Sequence, residues 1–149
     1  MNRYARLAIF VAVVATIALA AGQFMPGSWY AGLAKPSWTP PNWLFGPVWS
    51  VLYLMIAVAG WLVWESKAAP TARWLWGVQL VLNGMWSPVM FGSHNIAMAL
   101  AIIVLMWLTI AAFVATTWRP VRAAALLFVP YLLWVGYATT LNFALWRLN

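Results

Sequence analysis

Cysteine is absent from the 149 residues, and acidic side chains are reduced to one, Glu65. Histidine is also single, at position 94. The first absence excludes disulfides, thiolate nucleophiles and Cys-ligated metals. The scarcity of carboxylates and imidazoles removes the usual means of acid–base and hydrolytic chemistry, and a metal site would need several such residues together. Ion-coupled transport usually places an acid within the membrane, and none is available. Charged residues make up only 6% of the chain, against the quarter or so of a soluble domain, while 66% are hydrophobic. Such a chain cannot cover a water-facing surface, so a membrane protein is expected. Eight Lys/Arg give a net charge of +7. They are scattered singly or in pairs at the ends of apolar runs, which suits membrane topology and not nucleic-acid binding.

What is abundant is tryptophan, and its densest stretch is 29–49, WYAGLAKPSWTPPNWLFGPVW. Proline removes a backbone donor and pushes the preceding residue out of the α region, so Pro36, Pro40 and Pro41 exclude a spanning helix and predict a stiff, extended crossing. Indole and phenol rings favour the depth where the ring body meets lipid and the polar tip meets water. The stretch therefore reads either as a lid over the mouth of a helix bundle or as an ordinary interfacial aromatic belt.

Five apolar runs, at 7–25, 43–64, 74–91, 96–118 and 123–146, predict an all-α membrane protein. Its single domain is a five-helix bundle, with residues 26–42 as the loop between the first two spans. The first run also fits a signal peptide, with Arg3 and Arg6 before it and Ala18-Leu19-Ala20 as a small-x-small site. It continues apolar to Met25, the length of a span, and a retained helix is expected. Pro88 should kink the third run near its end, and 92–95 should form a turn whose His94 is a solvated surface group. Arg3, Arg6, Lys67, Arg73, Arg119 and Arg122 fall on the N-terminal side, against Lys35 and Arg147 opposite. The positive-inside rule then places the N-terminus in the cytoplasm and the lid outside. Helices of this kind favour a bacterial inner membrane, because outer-membrane spans are usually barrels.

Three polar or aromatic stripes recur at helical spacing. They are Trp49, Tyr53, Ile56, Gly60 and Trp64; Gln79, Asn83 and Ser87 with Trp86 beside them; and Tyr131, Trp134 or Val135, Ala138 and Asn142. Buried amides should face the bundle interior. There they serve either as interhelical hydrogen bonds or as the wall of a cavity for a large, flat, apolar ligand. Ala97/Ala101 and Ala111/Ala115 offer small-xxx-small faces for close helix contact.

The elements WY-x-x-L-x-KP-x-W-x-PP at 29–41, PVW-x-x-LY at 47–53, Q-L-x-L-N-x-x-WS at 79–87 and PYLLW-x-x-x-A-x-x-LN at 130–142 resemble the tryptophan-rich sensory protein family. That family is also called the translocator protein or peripheral-type benzodiazepine receptor family. The resemblance runs over essentially the whole chain and implies a five-helix, often homodimeric, porphyrin-binding membrane protein needing no cofactor or metal. Synthetic isoquinoline and benzodiazepine ligands are further ligands of the family, as is cholesterol. By position, Trp49 and Trp134 become the pocket tryptophans, Tyr30 and Trp38 lid residues, and Asn83 and Trp86 a wall. Ala138 becomes a position whose size affects ligand fit, and Tyr53, Tyr131 and Asn142 complete the expected ligand-binding set. The implied role is reception, regulation or transport of tetrapyrroles. The alternative is light- and oxygen-dependent porphyrin degradation, with Trp49 and Trp134 as its reacting residues. Phe143 stands where the family's sterol motif has tyrosine, which argues against tight cholesterol binding.

Overall fold

The computed structural model describes residues 2–67 and 70–149. Its helices are α1 (Arg3–Ala21), α2 (Ser28–Gly32), α3 (Phe45–Glu65), α4 (Pro70–Ser87), α5 (Ile96–Thr117) and α6 (Arg122–Leu148). Among the described residues there is no strand. Side-chain amides start two of the long helices by satisfying otherwise orphaned N–H groups: the Asn2 carbonyl accepts from Ala5 N at 2.7 Å and that of Asn95 from Met98 N at 3.0 Å. Pro70 opens α4, where its missing N–H is no loss.

Three boundaries differ from the apolar runs. The first helix stops at Ala21, because the chain winds off through Gly22 in tight turns, with Phe24 N bonded to Ala21 O at 3.0 Å. The 26–42 loop is not extended throughout, since α2 forms in it between Pro26 and Pro36, and a 3₁₀ turn at Asn42–Leu44 leads into α3. Pro88 does not simply kink α4. The helix widens there into a π turn, Pro88–Gly92, closed by Ser93 N to Pro88 O at 2.9 Å, a distortion that absorbs the donor proline lacks. Phe24 lies across Gly92 so closely that a Cβ there would be 2.9 Å from its ring.

The five long helices form a ring in the order α1, α3, α6, α5, α4, with α4 closing back on α1. Ile56, Ala59, Val63, Ile110, Phe113 and Phe128 fill its interior and are fully buried. Phe113 and Phe128 stack at 4.0 Å across the α5–α6 contact. The outward face is the reverse of a soluble protein's: Leu19, Leu54, Leu105 and Leu133 are all more than half exposed, an apolar surface that only lipid can solvate. α1, α5, α6 and the segment ending in α3 are each long and apolar enough to cross a bilayer. The shorter α4 carries Arg73, Gln79 and Asn83, and it turns both amides inward. The molecule is an integral, multi-pass membrane protein. Ala97, Ala101 and Ala115 lie exposed on the outside of α5.

Candidate ligand-binding site

A chain of hydrogen bonds crosses the interior from α3 through α4 to α6. Tyr53 donates its hydroxyl proton to Asn83 Oδ1 at 3.0 Å, and Asn83 Nδ2 donates to the Tyr131 oxygen at 2.8 Å. Tyr131 in turn donates to Gln79 Oε1 at 2.8 Å, while Gln79 Nε2 donates to Trp76 O at 2.9 Å. A second bridge links α4, α5 and α6: Trp86 Nε1 donates to Asn142 Oδ1 at 3.0 Å, and Asn142 Nδ2 to Ile96 O at 3.2 Å. Gln79, Asn83, Tyr131 and Asn142 are all buried. Their polar atoms are satisfied by one another, as a low-dielectric interior requires. All four thus make the interhelical or helix-internal hydrogen bonds expected of buried amides and phenols.

Above this network lies the aromatic mouth. Trp49 sits 5.5 Å from Tyr53 and 6.3 Å from Tyr131, against the outer end of the polar chain. Trp134 meets Phe45 at 5.9 Å and Tyr137 at 5.8 Å. The loop crosses this mouth with both flanks fastened. On one flank Tyr137 donates its hydroxyl to Trp38 O at 2.8 Å, and the two rings meet edge-on at 5.8 Å. The Asn149 amide pairs with the Ala34 backbone in both directions, at 2.9 and 3.0 Å. On the other flank Trp29 stacks on His94 at 4.2 Å, so the turn histidine is exposed but also supports the lid. Tyr30 is buried edge-on to Phe91, with the Lys35 ammonium 4.6 Å above its ring. Burial, and next the neighbouring Tyr137 phenol, push the Tyr30 hydroxyl above its ordinary pKa.

Beneath Pro40 a cleft of about 810 Å³ opens between α3 and α6. One wall is Leu44, Pro47, Val48, Val51, Leu52 and Met55; the other is Pro130, Leu133, Trp134 and Tyr137. It is apolar and open on one side. The Trp134 Nε1 donor is shielded from solvent and has no acceptor among the described residues.

The structure thus divides the expected site residues into groups. Trp134 lines the cleft, and Trp38 caps it through Tyr137. Trp49, Tyr53, Tyr131 and Asn83 stand together on the core side of the α3–α6 contact. Trp86, Asn142 and Tyr30 lie towards the π turn and α5, and half-buried Ala138 packs against the main core. Sequence reasoning missed Tyr137 and the Pro47–Met55 side of α3. Tyr137 lies three residues after Trp134 and so on its face of the helix, but tracing the stripe at four-residue steps leads to Ala138 instead. Removing the lid contact in Tyr137→Phe should free the 34–41 amides. Their hydrogen exchange should quicken about fivefold, the factor for one partly exposed hydrogen bond, and an unchanged rate would show that the contacts of Asn149, Trp29 and Tyr30 hold the loop without Tyr137.

Among the described residues no three His, Cys, Asp or Glu side chains gather where a metal could bind. A closed ring of membrane helices, an aromatic mouth and a fastened lid over an apolar cleft define a class: multi-pass helical membrane proteins with a lidded cleft between two of their helices. The chain belongs to the TspO/MBR family, whose model matches residues 8–147. It is 38% identical over 146 residues to Protein CrtK of Rhodobacter capsulatus, covering 95% of this chain and 91% of that one. It is 38% identical to the tryptophan-rich sensory protein of Cereibacter sphaeroides, over 94% of this chain and 89% of that protein. To the human translocator protein it is 40% identical, over 81% and 75%.

Proposed function

We propose that this protein is a membrane receptor for porphyrins of the protoporphyrin IX type, bound in the α3–α6 cleft under the 26–42 loop. Binding there serves to sense, regulate or move the tetrapyrrole. The observation that carries the reading is Trp134, whose indole borders the cleft with an unpaired N–H. A flat macrocycle stacks on the indole and slides between apolar walls. The cleft lies in the size range of small-molecule and cofactor sites. A metal-free porphyrin needs no axial ligand, so neither a metal nor a cofactor enters. Planar isoquinoline and benzodiazepine ligands suit the same walls. Cholesterol does not, because Phe143 brings no hydroxyl and is half exposed on the outer face of α6.

Support for sensing comes from the relatives, two of which bear the names sensory protein and translocator protein. Six basic residues at the end of the bundle holding the N-terminus support a cytoplasmic N-terminus, an outward lid and an inner-membrane location. The exposed alanines of α5 offer a surface for a homodimer. A second reading, photo-oxidative porphyrin breakdown with dioxygen as co-reactant, is favoured by the same Trp134, an oxidisable ring beside the expected chromophore.

The test is a titration of detergent-solubilised protein with protoporphyrin IX, following tryptophan fluorescence in the dark and absorbance under light. Saturable quenching with a stable porphyrin spectrum is expected. Protein-dependent bleaching would move the enzyme reading ahead, and a linear, unsaturable response would overturn both.

A further inference from the structure

The end of the bundle away from the lid carries a second, smaller groove, of about 300 Å³, between α1 and the α3–α4 corner. Ile9, Phe10, Val13, Trp64 and Trp76 line it, and Arg6 stands at its rim. Phe10, Trp64 and Trp76 form a continuous aromatic wall, with ring centres 5.2–5.6 Å apart. Ile9, Val13 and Trp64 are each more than 40% exposed, so the groove faces the surrounding lipid.

The end of the bundle around it is cationic. The Arg3 guanidinium lies 4.6 Å over Trp61, and that of Arg73 lies 5.8 Å from the Trp64 ring while donating to Ser66 O at 2.9 Å. Lys67 follows in the exposed turn after α3. The one carboxylate of the whole chain, Glu65, is also here, but Arg6 holds both its oxygens, at 2.6 and 3.0 Å. The one acidic side chain is therefore neutralised by an arginine of its own, and Arg3, Lys67 and Arg73 leave this end of the bundle positive. Two donors at this end, Trp61 Nε1 and Arg73 Nε, have no acceptor among the described residues.

We infer that this groove binds one anionic glycerophospholipid of the adjoining leaflet. One acyl chain lies along Ile9, Val13 and the aromatic wall, and the phosphate is held by Arg3 and Arg73. Charge complementarity selects an anionic headgroup, since basic side chains near the membrane surface attract such lipids while zwitterionic ones offer no net charge. Arginines held beside indoles suit headgroup depth, with their apolar stems towards the hydrocarbon. The groove is too small and too narrowly walled to repeat the lid-side cleft, and the inference stands independently of porphyrin binding.

Native mass spectrometry of the full chain, given equimolar phosphatidylglycerol and phosphatidylcholine with identical acyl chains, tests it. One phosphatidylglycerol should be retained about fivefold over phosphatidylcholine, the factor for a single basic residue near an anionic headgroup. Arg3→Gln with Arg73→Gln should bring that ratio close to one. Val13→Phe, which fills the groove and leaves every charge in place, should remove the retained lipid. Arg119→Gln with Arg122→Gln, at the same membrane face but outside the groove, should change nothing. Equal retention of the two lipids overturns the inference. So does loss of the preference in the Arg119/Arg122 variant, which would show a diffuse surface charge and no site. Should the Arg73 change prevent folding, Arg3→Gln alone and Val13→Phe decide the matter.

Discussion

Gly60→Leu should abolish assembly of the bundle, and Gly60→Ala should already lower its thermal midpoint substantially. A Cβ at this position would overlap the Trp76 indole, lying 2.7 Å from Cζ2. An overlap is cheap when the neighbour can swing away, but Trp76 cannot. It is 6% exposed, donates Nε1 to Ile56 O at 2.8 Å, and is braced by Phe10 at 5.2 Å and Trp64 at 5.6 Å. Glycine is what lets α3 and α4 approach across the ring at this level, the role small residues take between membrane helices. Overpacking by a single methyl costs about 1–3 kcal/mol, and the four-carbon side chain of leucine far exceeds that. Circular dichroism melts in detergent read the effect, with Gly46→Ala as the control, since no atom lies within 4 Å of a Cβ there. A Gly60→Ala midpoint equal to that of Gly46→Ala would mean the Trp76 ring is not held as described.

The five long helices were legible because each apolar run is bounded by turn chemistry and by cations, and because lipid-facing and core-facing residues are both apolar. That same sameness hides which helices are neighbours. Gln79, Asn83, Tyr131 and Asn142 could be recognised as inward-facing, yet their choice between bonding one another and lining a cavity depends on the ring order, which no local pattern encodes. In the sequence Glu65 has its nearest cation, Lys67, at i,i+2. Its partner is Arg6, 59 residues away on α1. The short α2 was obscured because the prolines that forbid helix lie downstream of it, at 36, 40 and 41, and say nothing about Ser28–Gly32. His94 looked solvated because nothing near it in sequence resembles a partner. Trp29 reaches it only once the loop is folded back.

These same placements separate the two tryptophans that the sequence treats alike, and porphyrin binding should separate them too. Trp134→Ala should weaken protoporphyrin binding by roughly tenfold to a hundredfold, the usual loss when a stacking aromatic is truncated beneath a flat ring system, whereas Trp49→Phe should weaken it by less than about threefold, within the range of a conservative aromatic swap. Trp134 borders the cleft and makes no hydrogen bond, so its removal leaves the chain from Tyr53 through Asn83 and Tyr131 to Gln79 untouched. Because the indole also packs on Phe45 and Tyr137, the variant should melt earlier yet still cooperatively, and ligand loss below its melting point distinguishes a lost contact from a lost fold. Trp49 packs instead on Tyr53 and Tyr131, and phenylalanine can occupy that place. Fluorescence and absorbance titrations of both variants beside the parent protein give the two affinities. Equal losses would put the macrocycle against the inner faces of α3 and α6, with Trp49 touching it directly, and the α3–α6 cleft would then be an entrance and not the seat of binding.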